Sequence, residues 1–410
     1  MKKVFTKTIY TIAALFFLVG MSVPAFAQFT LNTITSGAHA SAMARDAAGN
    51  VYVIEDPSNG TSGGEIVKYT AGTGAGTIIY NGSLISGTDY NGTDDDYAFG
   101  ITVATNGDIY FTTSNNTGNN FYGNVVKLTF NGGTSYTASV LISGNGNVGY
   151  FAGVAIDNAN ELFVLQYDVA GNSGDGSYEV AKYNTSGVQQ SILYDKLETN
   201  YALPGTFTAI TGLACDPTGT YVYVADWFIE NNNSYGGFIE KLTKNGATYT
   251  ASQLASGTYC TALACDASGN LYATASTYAT LSTYKLVEYV GGAGSPVTLY
   301  SNLGSDGYNF YPFGIAVESS TSIFVLNGSS GTGTKGDYDQ LVGPPTTQAS
   351  SVSFSSTTEN NTVISWTNGG GASRAVFVEA GTTGTPTVSN TTSYTASTTL
   401  GNGSTAGSGW

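Results

Sequence analysis

The sequence contains few of the residue types that carry charge or bind metals. Only 10% of its 410 residues are Asp, Glu, Lys or Arg, against roughly 25% in an average soluble protein, which argues against coiled coils and charged helical bundles. His39 is the single histidine, so a three-histidine zinc site and a two-histidine catalytic dyad are excluded. The 28 acidic residues outnumber the 13 basic ones, which makes nucleic acid an improbable partner.

Cysteines and long apolar runs are equally scarce. Three cysteines, Cys215, Cys260 and Cys265, are too few and odd in number for a disulfide framework. One apolar run, from Ile12 to Val19, follows basic residues and precedes Ala25-Phe26-Ala27, a pattern typical of a secretory signal rather than a membrane span. We therefore predict that residues 1–27 are removed on export to the cell surface or medium, and no transmembrane segment is predicted elsewhere.

Glycine and aromatic residues are abundant, with 54 Gly, 29 Tyr and 19 Phe, a bias that favours short strands and turns. A pattern of small and aliphatic residues, a turn that usually carries Asp and Gly, and an aliphatic-aromatic-aliphatic strand recurs six times. Its marker positions are residues 46, 104, 157, 216, 266 and 318. The spacings of 50 to 59 residues between these markers match a four-stranded propeller blade.

Third and fourth strands follow in five copies, for example Glu65–Tyr69 and Thr77–Tyr80. The sixth copy meets Gly343-Pro344-Pro345 before a fourth strand. Residues 29–35, which precede the first copy, could supply the missing strand. The sequence therefore predicts an all-β, six-bladed β-propeller over residues 28–343, with the last blade closed by the N-terminal strand.

The repeat resembles the NHL-repeat family and the related streptogramin-lyase-like six-bladed propellers. The residues that carry the resemblance are Leu213–Asp216 with Val222–Asp226, and Pro312 before Gly314–Val317. The third strands lack the Arg that is usual in the family. Some relatives are metal-dependent lyases that use histidines, which this sequence does not provide.

After Gly343 the composition changes to Ser and Thr. Strands at Thr362–Trp366 and Arg374–Val378 resemble the opening of a fibronectin type III domain, an Ig-like β-sandwich. The 67 residues that remain (410 − 343) fall short of the roughly 100 residues of such a sandwich. Residues 344–410 are therefore predicted to be a truncated sandwich, and the chain a fragment of a longer reading frame, as in large multi-module exported bacterial proteins.

Two groups of residues are candidate binding sites. Asp89, Asn91, Asp94, Asp95 and Asp96 offer enough oxygen ligands for calcium, although their spacing is not that of an EF-hand; a solvated acidic loop is the alternative. Tyr122, Trp227, Tyr308 and Tyr311 lie in Tyr- and Asn-rich segments that could stack on sugars or bind protein, or simply connect strands.

The sequence thus favours an exported binding or adhesion scaffold that engages protein or glycan through one propeller face. The alternative is an enzyme, a lactonase or lyase with a calcium ion in the central tunnel. The repeated acids Asp46, Asp157, Asp216 and Asp266 are expected to stabilise turns rather than to bind ligands. The oligomeric state stays open.

Overall fold

The second strand of each repeat is apolar on both faces, so it must be buried between neighbouring sheets. The computed structural model describes residues 29–56, 64–82, 100–116, 121–144, 148–168, 177–195, 209–230, 234–276, 284–303, 312–327, 336–343, 350–355 and 363–367. None of the helices in these ranges has the length and apolar character needed to cross a membrane. The predicted all-β, six-bladed propeller is confirmed.

Each blade is a four-stranded antiparallel sheet in which strands follow chain order from the centre outwards. Blade I contains β2 (Val51–Asp56), β3 (Glu65–Tyr69) and β4 (Gly76–Tyr80) behind the second half of β1 (Thr30–Arg45). Blade II contains β5 (Ile101–Val103), β6 (Ile109–Asn116), β7 (Phe121–Gly132) and β8 (Ser135–Ser143). Blade III contains β9 (Val148–Ile156), β10 (Glu161–Asp168), β11 (Ser177–Asn184) and β12 (Gln189–Asp195).

The other three blades repeat this order. Blade IV contains β13 (Ala209–Cys215), β14 (Tyr221–Glu230), β15 (Ser234–Asn245) and β16 (Thr248–Ser256). Blade V contains β17 (Tyr259–Cys265), β18 (Leu271–Ser276), β19 (Tyr284–Tyr289) and β20 (Val297–Leu303). Blade VI contains β21 (Pro312–Ser319), β22 (Ser322–Asn327) and β23 (Gly336–Val342), followed outward by the first half of β1.

Strand β1 closes the ring. Its first half, Thr30–Ala38, pairs with β23, and its second half, His39–Arg45, pairs with β2. Three irregularities of register, the last between Ala40 and Ala42, allow the strand to bend from one blade into the next. The N-terminal strand therefore supplies the fourth strand of blade VI, as the sequence predicts.

Small residues let the innermost strands approach closely. The innermost strand of each blade contacts that of the next, and β21 contacts β1 to complete the circle. A Cβ atom on Gly100 would lie 2.8 Å from the Val154 nitrogen, and one on Gly314 would lie 3.2 Å from the Met43 nitrogen. Larger side chains at these positions would push the blades apart.

The core consists of apolar layers between successive blades. Tyr52 and Ile54 of β2 pack against Phe111 of β6 in the layer between blades I and II. Val51 and Val53, on the other face of β2, pack in the layer between blades VI and I. Each second strand thus contributes to two layers, which explains its continuous apolar sequence.

Residues 29–343 form one compact unit. In the separate segment that follows, β24 (Ser350–Ser355) and β25 (Val363–Thr367) form an antiparallel pair with Phe354 opposite Ile364. The predicted strand at Arg374–Val378 lies outside the described residues. The fibronectin type III assignment therefore stays a prediction.

Candidate functional site

The residues singled out from the sequence lie at one end of the blades or outside the described ranges. Tyr122 is opposite Asn115 in blade II, and Trp227 is opposite Gly237 in blade IV. Both are near the end at which the second strand passes to the third, here called the loop end. The structure describes the backbone and the strand pairing of these two residues. The residues outside it are Asp89, Asn91, Asp94, Asp95, Asp96, Tyr308 and Tyr311.

At the opposite end, here called the turn end, the repeated acids stabilise turns. Asp46 of blade I accepts hydrogen bonds from the Asn50 backbone N–H at 2.8 Å, from the Asn50 amide at 2.7 Å and from the Tyr52 hydroxyl at 3.0 Å. Asp266 of blade V accepts the equivalent bonds from Asn270 and Tyr272. Both oxygens of each carboxylate are occupied, so these acids have the structural role expected from their Asp-x-x-Gly pattern.

In blade II an aspartate at a different position stabilises the first turn. Ala104 occupies the position of the repeated acid, and Asp108, four residues later, accepts from the Phe130 N–H at 2.9 Å and lies 2.9 Å from the Lys127 ammonium. Although burial raises the pKa of Asp108, the bonds from Lys127 and Phe130 outweigh it and lower the pKa below its usual value. The aspartate remains ionised and ties the first turn to the third strand.

The two ends of the ring differ in the length of their connections. At the turn end, connections between strands span two to seven residues, as in 133–134 and 290–296. At the loop end they extend to 13 residues (196–208) and 20 residues (81–100). Long connections carried on a rigid scaffold are where binding residues concentrate, so the loop end is the candidate functional face.

In blade I a buried carboxylate lies at the loop end. Glu55, 9% exposed, accepts a hydrogen bond of 2.6 Å from the Tyr69 hydroxyl, which is also bonded to Thr35. Glu65 is directly opposite Glu55 on the neighbouring strand. Burial raises the pKa of Glu55 and the Glu65 charge raises it further, while the bond from Tyr69 opposes the shift.

Blade III has the same arrangement with an amide in place of one of the two carboxylates. Gln166 occupies the position of Glu55, and its amide donates to Glu179, the residue directly opposite. The Tyr183 hydroxyl donates to the Gln166 carbonyl oxygen at 2.8 Å. Gln166 and Glu179 are almost fully buried, and the amide and carboxylate satisfy one another.

Both carboxylates at this end are buried, since Glu55 accepts a hydrogen bond from the Tyr69 hydroxyl and Glu179 accepts one from the Gln166 amide. They therefore hold neighbouring strands together beneath the loop end. Within the described ranges, no group of three or more His, Cys, Asp or Glu side chains is arranged to hold a metal ion. The calcium expectation for residues 89–96 stays a prediction, because those residues lie outside the described part.

The thiols are not candidate nucleophiles. Burial raises the pKa of Cys260 to about 12, and the pKa values of Cys215 and Cys265 are also raised well above the usual value by burial. Cys215 and Cys265 are free thiols. A protonated thiol is a poor nucleophile at neutral pH, in keeping with the role of small apolar groups.

Sequence reasoning missed the buried polar residues of the loop end. The available signal is a polar residue that ends an apolar strand, as Glu55 does after Val51–Ile54 and Gln166 does after Leu162–Leu165. The residue opposite this polar residue on the next strand depends on the strand register. The spacing along the chain differs between blades, because Glu65 comes ten positions after Glu55 whereas Glu179 comes 13 positions after Gln166. The signal therefore identifies one residue of each pair.

The chain matches no known protein-family model and no curated protein sequence. Among solved structures it is similar to a putative oxidoreductase (glucose dehydrogenase) from Thermus thermophilus, with a TM-score of 0.51 and 14% identity over 77% of this chain and 100% of that chain. A protein of unknown function from Dyadobacter fermentans gives a TM-score of 0.52 and 11% identity over 78% and 99% of the two chains.

The soluble aldose sugar dehydrogenase from Escherichia coli gives a TM-score of 0.47 and 12% identity over 77% and 100% of the chains. At this level of identity the likeness concerns the fold and does not extend to activity. The resemblance to NHL-repeat proteins stays a prediction. The similarity to the first two structures supports the β-propeller fold and nothing further.

Proposed function

We propose that the protein is an exported binding module that engages a glycan through the loop end of its propeller. The observation that carries this proposal is the difference between the two ends. The turn end consists of short turns whose aspartates are used internally, whereas the loop end bears the long connections. A propeller that binds through one face needs this asymmetry.

The chemistry of the loop end fits a hydroxyl-rich ligand. Trp227 and Tyr122 lie on strands near this end, and aromatic faces stack on sugar rings while neighbouring polar groups bind hydroxyls. Glu55 and Glu179, whose carboxylates are buried, hold the strands together beneath this end. A protein surface is the other partner class that the sequence favours, and the binding experiment separates the two.

The test is a binding screen of the purified chain against a glycan array and against extracellular matrix proteins. We expect glycan binding, reduced by about 5- to 150-fold by Trp227→Ala or Tyr122→Ala, since one stacked aromatic ring contributes on the order of 1–3 kcal/mol. Phe130→Ala is the matched control, because Phe130 is an exposed aromatic side chain near the turn end. Loss of binding in Phe130→Ala, or binding to protein alone, would contradict the proposal.

The second candidate is a calcium-dependent propeller enzyme, a lactonase or lyase. One structural neighbour is a putative glucose dehydrogenase, which motivates a test for enzymatic activity. Glu55 is a buried carboxylate whose raised pKa suits a general acid or base. Calcium-dependent turnover of lactones that Glu55→Gln abolishes, with the fold intact, would favour this candidate. Unchanged turnover in Glu55→Gln would exclude Glu55 from the chemistry.

A further inference from the structure

The turn of blade III departs from the hydrogen-bonding scheme shared by blades I and V. In blades I and V the second carboxylate oxygen of the turn aspartate is satisfied by an asparagine amide and a tyrosine hydroxyl. In blade III the asparagine position is taken by Glu161 and the tyrosine position by Phe163. One substitution replaces a donor with an acceptor, and the other removes a hydroxyl group.

Three buried oxygens of this turn lack a hydrogen-bond donor. Within the described residues, Asp157 Oδ2, Asn160 Oδ1 and Glu161 Oε2 are inaccessible to solvent and make no hydrogen bond. Asp157 as a whole is only 3% exposed. Its other oxygen accepts the N–H groups of Ala159 at 2.9 Å and Glu161 at 2.8 Å, so Oδ2 faces away from its own turn.

Oδ2 of Asp157 is directed at the neighbouring turn of blade IV. A Cβ atom on Gly219 would overlap with this oxygen, and the Asn158 N–H donates to the Pro217 carbonyl at 2.9 Å. The two turns are therefore in contact between blades III and IV. An unpaired carboxylate oxygen in such a place costs free energy unless a positive group reaches it.

Nearby lysine side chains pair with only some of the oxygens in this turn. Lys182 lies 2.6 Å from Glu161 Oε1, on the other side of that carboxylate. Lys244 is 3.8 Å from Glu161 Oε2, beyond hydrogen-bonding distance, and its side chain is 35% exposed. Two acidic residues and an asparagine amide thus lie within one five-residue turn, and Lys244 forms only a long ion pair with one of the three oxygens, Glu161 Oε2.

We propose that the Asp157–Glu161 turn binds a calcium ion between blades III and IV. Two carboxylates and an amide carbonyl are oxygen donors of the kind that Ca²⁺ prefers. The site differs from the acidic segment 89–96, and it is independent of the ligand at the loop end. Because the protein supplies few charged ligands and Lys244 competes, the affinity belongs in the millimolar class of extracellular calcium modules.

The test compares the midpoint of thermal unfolding of the full chain in EDTA, in 10 mM CaCl₂ and in 10 mM MgCl₂. We expect calcium to raise the midpoint by about 2–4 °C, as a millimolar site does in a protein of this size. Magnesium, which demands tighter octahedral geometry, should give less than half of that shift. No calcium shift in the unaltered protein overturns the proposal.

Three variants locate the site. Asp157→Asn should abolish the shift. The double variant Glu161→Asn/Phe163→Tyr restores the residues of blades I and V, so it should lose the shift while remaining at least as stable in EDTA. Lys244→Gln removes the competing ammonium and should enlarge the shift.

Two control variants test whether the calcium shift arises at the Asp157–Glu161 turn. Asp266→Asn changes the equivalent aspartate in blade V, whose oxygens are already bonded, and should lower stability without altering the calcium shift. Asp94→Asn/Asp95→Asn/Asp96→Asn should leave the shift intact. A shift that survives in full in Asp157→Asn, or one that disappears in the triple variant, belongs elsewhere and overturns the proposal.

Discussion

Gly291 and Gly292 are adjacent residues with φ of +61° and +60°, yet their surroundings differ. A Cβ atom on Gly291 would meet nothing within 4 Å, whereas one on Gly292 would overlap with the Tyr223 hydroxyl of the preceding blade. Blade I shows the same contrast, because Ala71 has φ of +51° while Gly72 contacts the Phe324 ring. Glycine at the second of these two positions, Gly72 or Gly292, is therefore required by packing between blades.

We therefore expect Gly292→Ala to lower the free energy of unfolding by at least about 3 kcal/mol, from backbone strain plus overpacking. Gly291→Ala should cost only about 1 kcal/mol, because it carries the strain without the overlap. Chemical denaturation of both variants measures the difference. Equal losses in the two variants would show that Tyr223 does not depend on the space at Gly292.

Glu240 is an acid at a third-strand position that other blades fill with Val67, Val126 or Val287. Its Oε2 is buried without a hydrogen-bond partner in the described structure, and burial raises its pKa. A raised folded-state pKa means that the folded protein binds the proton more tightly. The contribution to stability is therefore complete below the unfolded-state pKa and is lost as pH rises through the folded-state pKa.

Glu240→Gln should consequently raise the midpoint of thermal unfolding at pH 7 by on the order of 1–3 °C, and the gain should vanish near pH 4. Differential scanning calorimetry across this range tests the sign. Glu288→Gln is the control, since Glu288 accepts a bond from the Tyr272 hydroxyl at 3.1 Å and should lose stability at pH 7. A pH-independent gain in Glu240→Gln would mean that its charge is not the cause.

The sequence predicts the role of a residue when its hydrogen-bond partners lie close to it along the chain. The Asp46 and Asp266 turns satisfy their carboxylates within seven residues, so the pattern alone predicts them. Asp108 is missed, because it takes over from Ala104 at a different position of the turn. Glu55 is missed as well, since its environment is set by Tyr69 on the next strand.

At the scale of elements, the sequence indicates which strands exist and gives the full extent of β3 (Glu65–Tyr69), but it shortens other strands. The apolar pattern marks the third strand of blade II as Asn124–Leu128, whereas β7 spans Phe121–Gly132. The pattern detects only the part that is buried in the layers, and the hydrogen-bonded ladder continues beyond it, to Phe121 at one end and to Gly132 at the other. Strand length is therefore fixed by pairing with β6 and β8, which the sequence does not display.

Strand β1 is the element for which a topological argument succeeds. Five copies have four strand candidates and the sixth has three, so a closed ring requires a strand from the other end of the chain. The structure provides it, with Leu31 opposite Leu341. The extent of β1, which continues without interruption into blade I, does not follow from counting strands, because it depends on the bends near Thr33 and Ala40.

For the whole molecule, ring closure determines how the blades share stability. In an open stack of repeats each unit depends on its neighbours and the ends unfold first. Here blade VI is held to blade I by one strand, β1, whose start is anchored by Phe29, 7% exposed and packed with Leu341 in the layer between blades V and VI. Ring closure should therefore give all six second strands similar protection against hydrogen exchange.

Phe29→Ala tests this, because it removes the anchor and leaves the blades themselves intact. We expect a loss of about 2–4 kcal/mol, and hydrogen exchange should accelerate first in β22 and β23, then in β2, before it spreads to blades III and IV. Phe163→Ala is the control: it truncates a buried ring within blade III, so exchange should rise around β10 rather than at the junction of blades VI and I. If Phe29→Ala accelerated exchange equally in all six blades, closure by β1 would not be the step that limits opening of the ring.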